Sequence, residues 1–443
     1  MEKSIFKAYD IRGKYPSEIG GKVAFKIGKA VVKFLRKKNP NIVIGRDNRL
    51  SSSFLSKKLK QGILAQGGNV IDISLATTPL LYFSVFYGKY DGGINITASH
   101  NPSCYNGFKI VKRKAVPIGW KTGLKQIKEL VEKEKFEETL KGKELKKSFL
   151  KDYIEFNQVG FNFKKMKLFK IVIDTANAVP GIITSRIFKK TPFKIYPIFN
   201  KLIGSFPNHD PDPLISKNLK QLQNQVKKRK ANLGIAFDGD GDRIIFIDEK
   251  GAIVRADLIL SLISEILLKE KKGSKILYDI RSSNIVRETI EKNNGKAIMG
   301  RVGHSFIKVK MREEDIYFGG ELSGHYYFKK NSFCEAPFFV LFKILEYLSH
   351  TEKSFSEVIK PFQKYYHSGE MNFKVRDKEK KIKELEERYK KGKISHLDGL
   401  RCDFSNWWFS ARLSNTEPLL RLVIEAKSKD LMEKKKKEIR KSI

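Results

Sequence analysis

The sequence predicts three α/β domains in series and a smaller α+β domain at the C-terminal end, and three observations carry that prediction. An apolar strand that ends in aspartate recurs at residues 41–47, 170–174 and 275–279, each time ahead of small or polar residues and a helical stretch. Continuous apolar strands alternating with helices indicate α/β units with buried, largely parallel strands. Beyond residue 366 the pattern changes to one strand, one charged helix and a strand pair, an α+β arrangement. At 443 residues the chain is also too long for one core, and it divides into domains of roughly 100 to 150 residues. Boundaries fall where Lys/Glu-rich helical segments or strand pairs end, giving 1–149, 150–251, 252–366 and 367–443.

In chain order, the first domain opens with Ala8-Tyr9-Asp10-Ile11-Arg12-Gly13, a short polar and aromatic loop, followed by a helix over residues 23–35. Residues 41–47 read as a strand ending in charge, and Ser51-Ser52-Ser53 caps a helix that reaches residue 66. Residues 70–73 and 93–96 are further strands. The latter leads into Thr97-Ala98-Ser99-His100-Asn101-Pro102, a loop because Asn-Pro stops regular structure and Asn106-Gly107 adds another turn. Residues 121–147 read as Lys/Glu-rich helix. In the second domain, strands flank Asp238-Gly239-Asp240-Gly241-Asp242-Arg243 on both sides. In the fourth, residues 371–375 form a strand, 377–391 a charged helix, and 403–411 with 419–426 a strand pair. Of Trp407 and Trp408, one is expected in the core and the other partly exposed.

The formal charge of +39 points to nucleic acid, an anionic membrane surface or an acidic metabolite. Lysine supplies most of the excess and is spread over every region, as at Lys37-Lys38, Lys146-Lys147 and Lys227-Lys228. None of these runs interleaves the aromatics of a single-strand binding surface. A compositional bias or thermal adaptation accounts for such a spread, so no nucleic-acid partner is expected. A basic nucleic-acid-associated protein stands as the non-enzyme alternative, and it would bind polynucleotide with a steep salt dependence. No apolar run approaches the ~20 residues that cross a bilayer, and the N-terminus lacks a signal-peptide core. The expectation is a cytoplasmic protein with no membrane partner. Cys104, Cys334 and Cys402 are scattered without a CxxC, which argues against a disulfide framework or zinc site; Cys104 is expected to pack.

Four motifs carry chemistry. Ser99 is the hydroxyl at the tip of its loop, and a serine is a poor nucleophile unless a base, cation or metal stands beside it; His100 is adjacent and Lys109 is ten residues on. Asp238, Asp240 and Asp242 alternate with glycines, whose tolerance of positive φ lets a tight loop turn carboxylates towards one point. Converging carboxylates repel unless a hard divalent cation neutralises them. An EF-hand opens with the same spacing, but no glutamate stands at its position 12, Glu249 being the nearest, and the flanks are strands. A Mg²⁺ site fits better than that, and better than a solvated acidic turn. Gly319-Gly320-Glu321-Leu322-Ser323-Gly324-His325 offers an acceptor, a hydroxyl and a titratable donor, suited to a polyol such as a sugar. Arg412-Leu413-Ser414-Asn415-Thr416-Glu417-Pro418, with Arg421, forms a candidate phosphate cradle. The serine loop and the Ser-Asn-Thr turn would each alone read as a plain loop, and the glutamate-serine-histidine loop alone is weak evidence. Together they supply a hydroxyl, a metal, a sugar loop and a phosphate cradle, one per predicted domain.

On these residues the chain resembles the α-D-phosphohexomutase superfamily, and within it the phosphomannomutase/phosphoglucomutase group, over essentially its whole length and in order. The resemblance implies four domains around a central cleft. It places a phosphoryl group on Ser99, and makes Asp238, Asp240 and Asp242 the Mg²⁺ ligands with the Ser99 phosphate completing the set. It assigns Glu321 and Ser323 to sugar hydroxyls, and Arg412, Ser414, Asn415, Thr416 and Arg421 to the substrate phosphate. Tyr9 and Arg12 match a loop facing the active site, Lys109 the lysine near the phosphoserine, and His304 a substrate contact. Arg281 occupies a place where relatives often carry lysine. One departure is Phe333-Cys334-Glu335-Ala336-Pro337, where relatives usually carry an acidic pair.

The implied reaction interconverts hexose 6-phosphate and hexose 1-phosphate, of mannose, glucose or both. It runs through the phosphoserine and a hexose 1,6-bisphosphate that is both intermediate and activator. Mg²⁺ would neutralise charge on the transferring group, with Arg12, Lys109 and Arg243 adding cationic support. His325 is the first choice for the general base and Lys109 the second; His100 orders the loop. Phosphoglucosamine mutase is the alternative activity, but Thr97 in place of serine and Leu322 in place of glutamine both resemble the mannose/glucose group. A small phosphosugar substrate and a monomer or homodimer are implied.

Overall fold

The computed structural model describes residues 5–133, 141–375, 377–413 and 419–443. They fall into two compact units, Met1–Val254 with Ser323–Ser356, and Arg255–Leu322 with Glu357–Ile443.

The first unit begins with a mixed sheet of β1 (Ile11–Lys14), β2 (Asn41–Arg46), β3 (Asn69–Leu75), β4 (Gly92–Ile96) and β5 (Tyr105–Lys112). Their spatial order is β1-β5-β4-β2-β3, with a further strand, Glu144–Lys146, beyond β3. β2 runs parallel to β3 and β4, whereas β5 is antiparallel to β4 and β1. Helices α1 (Gly21–Phe34), α2 (Ser52–Ala65) and α3 (Thr78–Tyr87) cover the sheet. Every residue of β4 is buried, as in a strand covered on both faces, and its polar Asn95 donates Nδ2 to Thr78 Oγ1 at 2.9 Å. Ile27, Val31, Leu55, Leu59, Ile42, Ile44, Ile94 and Phe108 share one core cluster.

Local details differ from the sequence expectation in places. Ile11, Arg12 and Gly13 lie in β1 rather than in a loop, because Arg12 pairs in register with Gly107 of β5. The stretch 121–147 is not all helix, since Glu144–Lys146 pairs with β3. Ser51 gives α2 no side-chain cap, as its Oγ accepts instead from Asn106 Nδ2 at 2.7 Å. Cys104 is exposed rather than packed, on the turn where Tyr105 N donates to Pro102 O.

The second sheet of this unit has Lys170–Asp174 parallel to Lys194–Ile198 and Leu233–Phe237, and Leu233–Phe237 antiparallel to Ile244–Asp248. The acidic motif is therefore the connection between two adjacent, fully buried strands. Leu222 and Val226 of helix Lys220–Lys228 pack with Val172, Ala236, Ile245 and Ile247. Residues Ser323–Ser356 add the antiparallel pair Tyr326–Phe328 and Cys334–Glu335 and the helix Pro337–Ser349.

In the second unit, Lys275–Asp279 lies between parallel neighbours Lys296–Gly300 and Phe318–Gly320, accompanied by helices Ala256–Glu270, Asn284–Lys292 and His304–Glu313. The C-terminal part is an antiparallel sheet in which Leu419–Ala426 pairs with Tyr366–His367, Met371–Lys374 and Trp407–Leu413. Helices Lys378–Arg388 and Lys429–Ser442 cover it, with Leu385, Phe409, Leu422 and Ile439 in the core. Both tryptophans are buried. The sequence predicts one of Trp407 and Trp408 to be partly exposed, but Trp408 donates its Nε1–H to Glu425 at 2.8 Å and carries the Arg401 guanidinium over its ring at 3.8 Å, and Trp407 packs in the core cluster of the sheet. Among the described residues, no helix is long and apolar enough to cross a membrane.

Candidate active site

The loop after β4 holds Ser99 in an unusual conformation. Its φ is 51°, which a non-glycine residue adopts only when the surroundings enforce it. Those surroundings are explicit. Arg49, itself buried, donates to the carbonyls of Ser99 (2.8 Å), Asn101 (2.6 Å), Pro102 (2.7 Å) and Tyr105 (3.2 Å), and its Nε is anchored on Asp47 at 3.0 Å. Arg12 donates to Ala98 O at 3.2 Å and Asn101 Oδ1 at 2.7 Å, so it fixes the same loop from the β1 side. Ser99 N donates to Thr97 Oγ1 at 2.9 Å. The result is a buried hydroxyl aimed at the acidic loop: Ser99 Oγ donates to Asp238 Oδ2 at 2.8 Å.

Asp238, Asp240 and Asp242 are all buried and present oxygens within 4.8 Å of one another. Asp238 Oδ1 accepts from the backbone N–H groups of Asp242 and Arg243, at 3.1 and 3.2 Å, which curls the loop and aims the carboxylates together. Gly239 is required by space: a Cβ there would stand 2.3 Å from Ser99 O. Gly241 is required by conformation, with φ +70°. Asp240 Oδ2 accepts from Thr78 Oγ1 at 2.5 Å and Lys109 Nζ at 2.6 Å, yet its Oδ1 is buried with no hydrogen-bond partner among the described residues. A buried carboxylate oxygen left unpaired beside two other carboxylates is what a hard divalent cation satisfies. The residues present fit a metal ion.

Electrostatics follow from this packing. Burial, reinforced by Asp242 and Asp240, pushes the Asp238 carboxyl well above its ordinary range. Burial acts the same way on Asp242, but Lys109, His325 and Arg243 outweigh it and hold that carboxyl well below its ordinary range. Lys109 Nζ reaches Asp240 at 2.6 Å and Asp242 at 2.5 Å; the two carboxylates overcome burial and raise its pKa. His100 goes the other way, lowered well below its usual value by burial and then by Arg243, Arg12 and Lys109. Its Nδ1 is 3.3 Å from Ser99 Oγ. His325 closes the group, with Nε2 3.2 Å from Asp242 Oδ1 and Nδ1 2.9 Å from Ser323 Oγ; Arg243 Nε is 3.4 Å from the same Nε2. The structure thus brings Ser99, His100, Lys109, Arg243, His325, Ser323 and the three aspartates together in the first unit, with Arg12 behind the loop. Tyr9 is half-buried ahead of β1.

The second unit gathers another set. Asp279 ends its strand and accepts from Arg281 Nε at 3.2 Å and Nη2 at 2.7 Å, and from Leu322 N at 2.8 Å. Glu321 Oε1 accepts from Gly303 N at 2.9 Å and lies 4.0 Å from Arg281 Nη2. His304 starts the helix that follows Gly303. Arg281, Arg412 and Arg421 all reach one carboxylate, Glu370. Ser414, Asn415 and Thr416 lie outside the described residues. Glu370 and Arg49 escaped the sequence reading. The arginines on Glu370 stand 42 to 89 positions from it and the carbonyls on Arg49 50 to 56 positions from it, so no local pattern marks these contacts, although the strand ending at Arg46-Asp47 did mark the place beside Arg49.

Four family profiles cover nearly the whole chain. They are described as phosphoglucomutase/phosphomannomutase alpha/beta/alpha domain I at residues 3–138, domain II at 147–251, domain III at 255–365, and the C-terminal domain at 370–442. The chain is similar to a phosphomannomutase of Methanocaldococcus jannaschii, with 40% identity over 98% of this chain and 96% of that one. It is 35% identical to a phosphomannomutase/phosphoglucomutase of Pseudomonas putida over 97% of this chain and 93% of the relative. Among solved structures, a phosphoglucomutase/phosphomannomutase family protein of Burkholderia thailandensis superimposes with a TM-score of 0.91 at 29% identity, covering 99% of this chain and 96% of that one.

Proposed function

The chain belongs to the phosphoglucomutase/phosphomannomutase family of α-D-phosphohexomutases, and on that premise we propose that it interconverts hexose 6-phosphate and hexose 1-phosphate, with mannose or glucose as the sugar. The observation that carries this is the pairing of Ser99 Oγ with Asp238 Oδ2 at 2.8 Å inside a buried, cation-ready carboxylate triad.

Ser99 Oγ carries the phosphoryl group. In the first half-reaction the Oγ–P bond breaks as a free hydroxyl oxygen of the sugar monophosphate bonds to phosphorus, giving a hexose 1,6-bisphosphate. The hydroxyl proton passes to a base, and Ser99 Oγ, the leaving group of this half-reaction, takes up a proton; in the second half-reaction Ser99 Oγ is the attacking hydroxyl and gives its proton up. We assign the base to His325. His325 Nε2 stands 3.2 Å from Asp242 Oδ1 and its Nδ1 2.9 Å from the Ser323 hydroxyl, so the ring nitrogen that does not carry the proton is available as an acceptor. His100, kept neutral by its cationic neighbours, orders the loop. Arg12, Lys109 and Arg243 set a positive field around the transferring group, where positioning and electrostatics do most of the catalysis.

Asp238, Asp240 and Asp242 would hold Mg²⁺, with the phosphate on Ser99 as a further ligand; when bound, the ion supplies charge neutralisation to the phosphoryl group. Glu321 and Ser323 bind sugar hydroxyls. Arg281, Arg412, Arg421 and residues 414–416 hold the phosphate that is not reacting, with Tyr9 and His304 completing the substrate contacts. The sugar then turns over and returns its other phosphate to Ser99, and free 1,6-bisphosphate reloads the serine. We take the domain limits as 1–149, 150–251, 252–366 and 367–443, and the enzyme as a cytoplasmic monomer or homodimer. The names of the relatives and the Thr97 and Leu322 choices favour mannose and glucose over glucosamine. A coupled assay with mannose 1-phosphate, glucose 1-phosphate and glucosamine 1-phosphate tests this. Preference for the amino sugar would make the chain a phosphoglucosamine mutase. Ser99→Ala is expected to bind sugar phosphate while losing turnover by orders of magnitude, and near-normal activity in that variant rules out the phosphoserine route.

A further inference from the structure

Glu370 lies just before the strand Met371–Lys374, outside every motif above. Its Oε2 accepts from Arg281 Nη1 at 3.1 Å and Arg412 Nη2 at 2.6 Å, and its Oε1 accepts from Arg421 Nη1 at 3.1 Å. Three guanidinium groups therefore close on two oxygens. Arg281 is already anchored on Asp279 through Nε and Nη2, so its Nη1 is the edge turned to Glu370. Burial alone would raise the Glu370 carboxyl, but Arg281, Arg412 and Arg421 outweigh it and lower it to about 2, leaving an anion throughout the neutral range. Guanidinium forks bind carboxylate and phosphate with the same geometry.

We infer that Glu370 occupies the anion site that Arg281, Arg412 and Arg421 offer to the phosphate of the substrate, and that the incoming phosphate displaces it. The inference rests on the phosphate-binding reading of these arginines. Without an anion, three cations this close repel and splay; Glu370 keeps them convergent before substrate arrives. A phosphate dianion brings more charge and more oxygens than one carboxylate and can take its place, whereas a singly charged anion meets an equal competitor. The site therefore selects dianions. Displacement also serves turnover, because the bisphosphate must release this site before it can reverse its orientation, and the returning carboxylate gives the arginines a partner while the phosphate leaves. Glu370 is a positioning residue: it acts on phosphate through the arginines.

The test measures orthophosphate binding by calorimetry at fixed ionic strength, and steady-state kinetics with glucose 1-phosphate, for wild type, Glu370→Gln, Glu370→Asp and Arg412→Ala. Each variant is first checked for a cooperative melt. Glu370→Gln removes the competing charge and should bind orthophosphate about ten-fold more tightly, the size of one charge-assisted hydrogen-bond difference. KM and kcat should fall together, since tighter holding slows release. Glu370→Asp, too short to span three arginines, should show a smaller shift in the same direction, and it decides the matter if the glutamine variant fails to fold. Unchanged or weaker phosphate binding in the variants overturns displacement. If Arg412→Ala keeps wild-type phosphate affinity, the phosphate-site reading itself fails, whatever Glu370 does.

Discussion

Gly239→Ala is the sharpest probe of how two loops are registered against each other. The added Cβ would lie 2.3 Å from Ser99 O and 3.2 Å from Pro211 Cβ, where ordinary contact begins at 3.4 Å. The Ser99 and Asp238 loops must then separate by about 1 Å. Ser99 O has little room to give, because it accepts from the buried Arg49 Nη2 at 2.8 Å. Overpacking of this kind costs about 1–3 kcal/mol of stability, and a misplacement of about 1 Å in reacting groups costs on the order of 100-fold in rate, equal to about 2.7 kcal/mol of barrier. The assay is kcat for glucose 1-phosphate conversion, read beside the melting temperature. Gly160→Ala is the control: its φ of +94° makes the substitution strained, but none of the described residues lies within 4 Å of the new Cβ, so it should lose stability and keep its rate. A Gly239→Ala enzyme turning over within two-fold of wild type would refute the reasoning.

Chelation should abolish activity and Mg²⁺ add-back restore it, because Asp238, Asp240 and Asp242 need a cation to offset their mutual repulsion; an enzyme indifferent to EDTA contradicts the carboxylate assignment. Acid stability should report on Glu370. Its folded pKa, about 2, lies below the ordinary value of about 4.3, so its contribution is complete above that value and is lost as pH falls through 2. Glu370→Gln should therefore melt below wild type at pH 7, and the gap should narrow as pH drops from about 4.5 to 2. A gap of constant size over that range would show that the carboxylate is not held by the arginines.

The parts of this protein legible in its sequence were those written in consecutive residues. Asp238-Gly239-Asp240-Gly241-Asp242 declares a convergent acidic turn because its glycines and its spacing are local facts, and the structure places the three carboxylates within reach of one another. Recurrent apolar strands gave away the α/β domains for the same reason. What stayed hidden depends on partners far along the chain. Arg49 looked like one arginine after a strand, yet its guanidinium serves carbonyls from Ser99 to Tyr105. Ile11-Arg12-Gly13 became a strand only because β5 lies beside it. Adjacent Trp407 and Trp408 read as one covered and one partly exposed ring until Arg401 and Glu425 are seen to engage Trp408.

Arg49 has one more consequence. A loop held through four of its own carbonyls by a buried side chain is held by its backbone, whatever its side chains carry. On the proposed phosphoserine route, a phosphate on Ser99 Oγ would leave those four carbonyl bonds in place, and the donor atom would keep its position through both halves of the cycle. Two different sugar hydroxyls must then be brought to the same fixed point in turn. The search for alignment would then fall to the sugar and to whatever grips its far end, with the serine as the stationary reference.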